Sequence, residues 1–259
     1  MRNWYEKYCS NNLSLAMKTL YAVILILAVL AIAESRWHGH HKDSPINHDK
    51  NDWDVFLLVT QWPFSACEKE NVTGYHECVI PKYVDSWILH GLWPSCSNGG
   101  YNPQYCSHQK FDYNKIKDLK DRMMKYWPNL FVNSDKYDFW KHEFEKHGTC
   151  AENVEGFETE HGFFKVALDL RDKYDTGRIL SDHGISPRDA PYKGEDVKHA
   201  LNNGLNAKGC AACKRVKGID GYVLMSTSVC FNKSLQLVNC PYCRGECYDD
   251  DIVYYQPIH

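Results

Sequence analysis

WILHGLWPS, from Trp87 to Ser95, and FWKHEFEKHGTC, from Phe139 to Cys150, decide how the rest of this chain is read. The first opens on a β-forming run, Ser86 to Leu92, which Pro94 is expected to stop. The second has the pattern of a helix that Ser134-Asp135 caps and Gly148 ends. Together they bring in His90, His142 and His147, with Glu143, Lys146 and tryptophans at both edges.

The surrounding sequence supplies the frame. DVFLLVTQW, Asp54 to Trp62, is apolar and rich in β formers, as a buried strand is. Helical spacing follows over Tyr113 to Tyr126, with Ile116, Leu119 and Met123 on one face. It recurs over Gly162 to Tyr174, with Phe163, Val166, Ala167 and Leu170, and over Glu195 to Leu205. Strand patterns return at Gly221 to Phe231, Leu235 to Val238 and Asp251 to Tyr255. Strands, then helices, then strands predict an α+β single domain with a central antiparallel sheet flanked by helices.

The amino terminus reads as a targeting segment. Met17-Lys18 precedes an apolar run, Leu20 to Ala33, that ends in Ala31-Ile32-Ala33. That is the form of a cleavable signal peptide over residues 1–33, with Met17 an alternative start. The run falls short of the roughly 20 residues a membrane span needs, so no span is expected in the mature chain. Residues 34–52 are polar and aperiodic, a flexible arm whose His38, His40 and His41 are read as solvated.

Of 12 cysteines, only Cys9 lies in the leader, leaving an odd number for disulfides in the secretory pathway. The sequons at Asn71 and Asn232 agree with that route. The net charge is −3, with no basic stripe of the kind that binds nucleic acid electrostatically. A polyanion would have to be held at a local site. All 13 histidines lie beyond residue 33, so acidification makes the chain more cationic.

His142-Glu143 followed by His147 invites comparison with a zinc-binding HExxH helix, which needs histidines four apart. Five residues turn a helix by about 500°, which is about 140° off a common face. A metallohydrolase is therefore the weaker reading, and no metal or other cofactor is expected. RNA cleavage makes different demands. One base takes the ribose 2′-OH proton, one acid protonates the departing 5′-oxygen, and charge on the phosphorane must be stabilised. Histidines suit the first two roles, and a lysine or a third histidine suits the last.

HGLWP at His90–Pro94 and the FWxHExxKHGTC pattern at Phe139–Cys150 resemble the two active-site signatures of the ribonuclease T2 family. The likeness runs from about Asp54 to the end, takes in Gln61-Trp62-Pro63, and makes 53–259 the expected catalytic domain. It implies that His90 and His147 form the acid–base pair, with their order open. It implies that Glu143 and Lys146 stabilise the transition state and that His142 binds phosphate. Trp93 would stack on a base in one subsite, while Gln61 and Phe139 line another. Ser95 stands where some members carry an acidic base-reading residue. The implied bridges are Cys67–Cys78, Cys106–Cys150, Cys213–Cys247 and Cys230–Cys240, with Cys210–Cys243 a further one and Cys96 the odd thiol.

The expected protein is thus a secreted or lysosomal/vacuolar, monomeric endoribonuclease acting on single-stranded RNA. Cleavage would leave 2′,3′-cyclic and then 3′-phosphate ends, and DNA, lacking the 2′-OH, would not be cut. The rival from another class is a secreted binding or signalling protein that keeps the fold without catalysis. None of His90, His142, Glu143, Lys146 or His147 is missing, as such a loss of function would suggest.

Overall fold

The run DVFLLVTQW forms β1 (Val55–Gln61), the strand on which the sheet is built. Its side chains serve two cores. Phe56 and Leu58 join the larger one, with Trp127, Trp140, Phe163 and Phe164 from the helical side. Val55, Leu57 and Val59 pack on the opposite face against Cys210, Cys230 and Cys240. A strand covered on both faces needs continuous apolar residues, not alternation.

The structure, a computed structural model, describes residues 52–74, 77–99, 102–135 and 137–258. These belong to one unit of the chain, His48–His259. The expected leader, the arm up to residue 51, and His76 lie outside the described residues. Among those described, no helix is long and apolar enough to cross a membrane.

Six further strands complete the sheet: β2 (Ile88–Ser95), β3 (Arg188–Lys193), β4 (Cys210–Lys214), β5 (Tyr222–Asn232), β6 (Leu237–Val238) and β7 (Ile252–Tyr255). The order is β2-β1-β5-β7-β3, with β4 and β6 also paired to β5. All pairs are antiparallel except β5 with β7, which is parallel. The α+β class holds, and one parallel pair qualifies the expected antiparallel sheet. Six α-helices accompany it among the described residues: α1 (Pro63–Thr73), α2 (Lys120–Tyr126), α3 (Asp138–Lys146), α4 (Glu160–Lys173), α5 (Thr176–Ser181) and α6 (Gly194–Leu205).

Several boundaries differ from the sequence reading for physical reasons. Pro94 does not stop β2; it pairs with Phe56, because β2 is an edge strand, where a missing N–H is tolerated. The helix expected over 113–126 is a 3-10 helix as far as Leu119, irregular at Ile116, and only then α2. Ile116, Leu119 and Met123 are nonetheless all buried. α4 starts at Glu160 because Thr159 caps it, its side chain accepting from the Gly162 N–H. α1, α5, β3 and β4 are not expected from the sequence: α1 has no clear apolar stripe, α5 is only six residues long, β3 carries Pro191, and CAACK of β4 lacks the usual β formers.

Five disulfides are formed: Cys67–Cys78, Cys106–Cys150, Cys210–Cys243, Cys213–Cys247 and Cys230–Cys240. Two of them anchor β4, whose own sequence is a poor strand former. Cys96 is in none of the five, and its thiol donates to the Asp52 carbonyl at 3.0 Å.

Candidate active site

His90 is aimed by a break in the sheet. Val59 pairs with Gly91, yet Thr60 pairs with Leu89, so His90 is the extra residue of a β-bulge. Leu89 and Leu92 can then both face the larger core, although they are three apart and strict alternation forbids it. The bulge leaves the His90 carbonyl to another donor: the indole N–H of buried Trp127 gives it a hydrogen bond of 3.0 Å. Trp127 in turn accepts, at its carbonyl, the indole N–H of Trp140 at 2.6 Å. Trp140 belongs to α3, so one indole chain connects both halves of the site.

α3 carries His142, Glu143 and Lys146 and ends there, leaving His147 as its C-cap with φ −113°. Its last carbonyls are met by one distant and one local donor. The Lys146 carbonyl accepts the Tyr105 N–H at 2.8 Å, and the Glu145 carbonyl accepts the Thr149 hydroxyl at 2.9 Å. Tyr105 has a φ of 53°, an uncommon value for a residue other than glycine. The adjoining Cys106–Cys150 bridge ties this loop to the helix end.

Trp93 joins the two halves directly. Its indole N–H donates to Glu143 Oε2 at 2.8 Å. Its ring lies 5.0 Å from that of His90 and 5.2 Å from that of His147, centroid to centroid. Gly91 makes this approach feasible: a Cβ there would stand 2.1 Å from Glu143 Oε2 and 2.3 Å from the Trp93 indole nitrogen. His142 is exposed, with its ring 6.4 Å from that of His147.

The expectation that His142 and His147 point apart is corrected here. Ligand-capable atoms of His142, Glu143 and His147 all lie within 4.8 Å of one another. The turn of 100° per residue stops applying where the helix stops, at Lys146. The buried Nδ1 of His147 also has no hydrogen-bond partner among the described residues. A divalent ion is disfavoured there by charge instead: the ammonium of Lys146 acts on all three groups, and Glu143 is a poor anion.

Electrostatics follow from burial. It holds His90 down at about 4, helped by His142, Lys146 and Lys69. It holds His147 down at about 3, helped by Lys146, His142 and His90. His142 is lowered for the same reasons, burial first and Lys146 second. Burial pushes Glu143 up to about 8, against the pull of the Trp93 N–H and Lys146. Near pH 5 the unliganded cluster therefore presents neutral His90 and His147 and a protonated Glu143 beside the Lys146 ammonium. Such a site welcomes an anion, and a bound phosphate raises the imidazoles back toward the range where one can carry a proton.

A cavity of about 280 Å³ opens beside His90, lined by Gln61 and Phe139 together with Asn129 and Leu130. The Phe139 ring lies 5.8 Å from His90. Ser95 is not at the site. It is fully buried and its hydroxyl donates to the Trp93 carbonyl at 3.2 Å, because its place opposite Val55 turns it inward. Trp127 and Gly91 were missed as positioning residues; no local pattern distinguishes Trp127 from an ordinary core residue.

Two imidazoles, a buried carboxyl and a lysine gathered at a sheet edge are groups that can do acid–base chemistry on a phosphodiester. The chain belongs to the ribonuclease T2 family, whose profile matches residues 53–240. It is 34% identical to the ribonuclease T2 protein rnst-2 of Caenorhabditis elegans over 75% of this chain and 70% of that one. It is 32% identical to ribonuclease Oy of Magallana gigas, over 80% and 98%. The crystal structure of human RNase T2 superposes with a TM-score of 0.67 at 31% identity, covering 79% of this chain and 99% of that one. The protein is accordingly an RNA-cleaving endoribonuclease.

Proposed function

We propose that the protein cleaves single-stranded RNA without a metal, by transfer of the phosphoryl group to the neighbouring 2′-oxygen. One of His90 and His147 removes the 2′-OH proton, and the other protonates the departing 5′-oxygen. The phosphodiester becomes a 2′,3′-cyclic phosphate, which water then opens to a 3′-phosphate with the histidine roles reversed. Lys146 and His142 hold the non-bridging oxygens. Glu143, neutral below about pH 8, donates a hydrogen bond to one of them as charge builds.

The observation that carries this reading is that the rings of His90 and His147 lie 5.0 and 5.2 Å from that of Trp93, with Glu143 bonded to that same indole. Trp93 and the cavity by Gln61 and Phe139 serve as the two base subsites, and sequence-tolerant stacking makes cleavage broad. DNA is not cut, for want of the 2′-OH. The five disulfides and the sequons at Asn71 and Asn232 support work as a glycoprotein outside the cell or in a lysosome or vacuole.

The close approach of His142, Glu143 and His147 gives the metallohydrolase reading its one argument. A single assay separates the two. A single-stranded RNA oligonucleotide is offered at about pH 5 in EDTA to the native protein, His90→Phe and His147→Phe. Native activity with cyclic ends, and losses of at least about a hundredfold in each variant, are expected. Activity lost in EDTA and restored by zinc would favour the metal. A folded native protein that leaves RNA intact would favour the non-catalytic rival.

A further inference from the structure

Helix α1 places a second cation near the site, on the wall of the cavity beside His90. Ala66, Lys69 and Glu70 stand three and four residues apart, so they share one helix face. That face lines the cavity that also holds His90, Gln61 and Phe139. Cys78, bridged to Cys67 of α1, lines the same cavity and anchors the helix there. Lys69 Nζ lies 2.5 Å from Glu70 Oε1, which keeps the ammonium at the wall while offsetting its charge. Lys146 and Lys69 bear on His90 from different elements, α3 and α1.

We propose that Lys69 is a second phosphate-binding residue, holding the phosphodiester next to the scissile one on the cavity side. RNA is a regular polyanion, and a chain of net charge −3 with no basic stripe must hold it at discrete cations. Lys146 serves the phosphate being cut. With a base in the cavity beside His90, the next phosphate of the strand emerges at the cavity wall, where α1 presents Lys69. The arriving phosphate takes the ammonium in competition with Glu70, whose carboxylate also faces the cavity and sets a limit on affinity. The substrate is then a segment with two consecutive phosphates held, not one isolated linkage.

This inference rests on the RNA-cleavage reading, and the test keeps the two apart. Dinucleotides NpN, NpNp and pNpN are compared as substrates, and their analogues lacking the scissile 2′-OH are compared as ligands by calorimetry. For the native protein, one of the two terminal phosphates is expected to improve both kcat/KM and Kd by about five- to tenfold. Lys69→Gln removes that gain, leaves cleavage of NpN within about twofold, and makes the salt dependence of binding shallower by about 0.7 in log–log slope. Glu70→Gln works in the opposite direction and enlarges the gain. A gain that survives Lys69→Gln, or no gain from either phosphate in the native protein, overturns the proposal. So does an equal loss on NpN, which would place Lys69 at the base or at His90. Failure of the native protein to cut NpN would instead count against the cleavage reading, while the ligand series still judges Lys69.

Discussion

β2 gives the candidate site one imidazole, α3 and its C-cap give it the rest, and the two elements hold their residues in unlike ways. His90 sits in an interruption of a ladder and is steadied through its backbone, by an indole from elsewhere in the chain. His142, Glu143 and Lys146 ride on a regular helix, and His147 takes its place because that helix has just ended. The strand half therefore depends on a break in pairing, and the helix half on where α3 ends, a point that Tyr105 and the Cys106–Cys150 bridge hold. They meet at a single direct hydrogen bond, from Trp93 to Glu143. The arrangement suggests that damage on the strand side acts through positioning, whereas damage on the helix side removes chemistry.

The largest effects should come from the imidazoles themselves, whichever half supplies them. His90→Phe and His147→Phe each cost at least about a hundredfold. If the halves act as one unit, the double variant is scarcely worse than either single one; multiplication of the losses in single-turnover assays would show that they act independently. Gly91→Ala attacks the meeting point, since its Cβ would collide with Glu143 and Trp93. A loss of about thirtyfold in kcat/KM is expected at a nearly unchanged far-UV spectrum. Retention of native activity would mean that the Trp93–Glu143 bond is dispensable.

Trp127→Phe keeps a ring in the core but deletes the donor to the His90 carbonyl. About tenfold should be lost from kcat with KM little altered, the size of one lost hydrogen bond. An isosteric benzothienylalanine at 127, which also lacks the N–H, should show the same kcat. If it restores kcat, packing and not the hydrogen bond steadies the bulge.

Glu143→Gln is the mildest and is best read in stability. Folded Glu143 titrates near 8, above its ordinary 4.5, so the folded state holds the extra proton between those values. Its contribution is complete below about pH 4.5 and is lost as pH rises through 8. The native Tm should therefore fall relative to that of Glu143→Gln between pH 5 and 8. The lowered histidines act in the opposite sense, losing stability as pH drops from 6.5 toward 4, and that limb should persist in the variant. Parallel Tm curves above pH 5 would show Glu143 to be ionised already.

How much of this was legible follows the same division. The identities of the helix-side groups and of His90 stood in two short segments, as did the central strand, because continuous apolar residues announce a strand buried on both faces. Their relative placement did not. An ideal turn of 100° per residue put His142 and His147 apart, and only the end of α3 brings them together. Nothing in WILHGLWPS shows that His90 is a bulged residue, and Ser95 was expected near a base only because it stands where some members of the family carry an acidic residue. β4 and β3 stayed hidden because pairing and disulfides, not local preference, make them strands.

The extra residue in β2 also has a meaning in terms of chain length. From Leu92, an unbroken alternation would turn position 90 inward, among the core side chains that Leu89 now joins. The catalytic orientation of this strand thus amounts to one residue more than its partner spans. Its natural variants should accept exchanges of side chain in β2 more readily than any insertion or deletion between Leu89 and Leu92. Loss of the Gly91 codon alone would restore plain alternation and put His90 in the place of Gly91, where a Cβ would collide with Glu143 and Trp93, while every residue type of the candidate site stayed encoded.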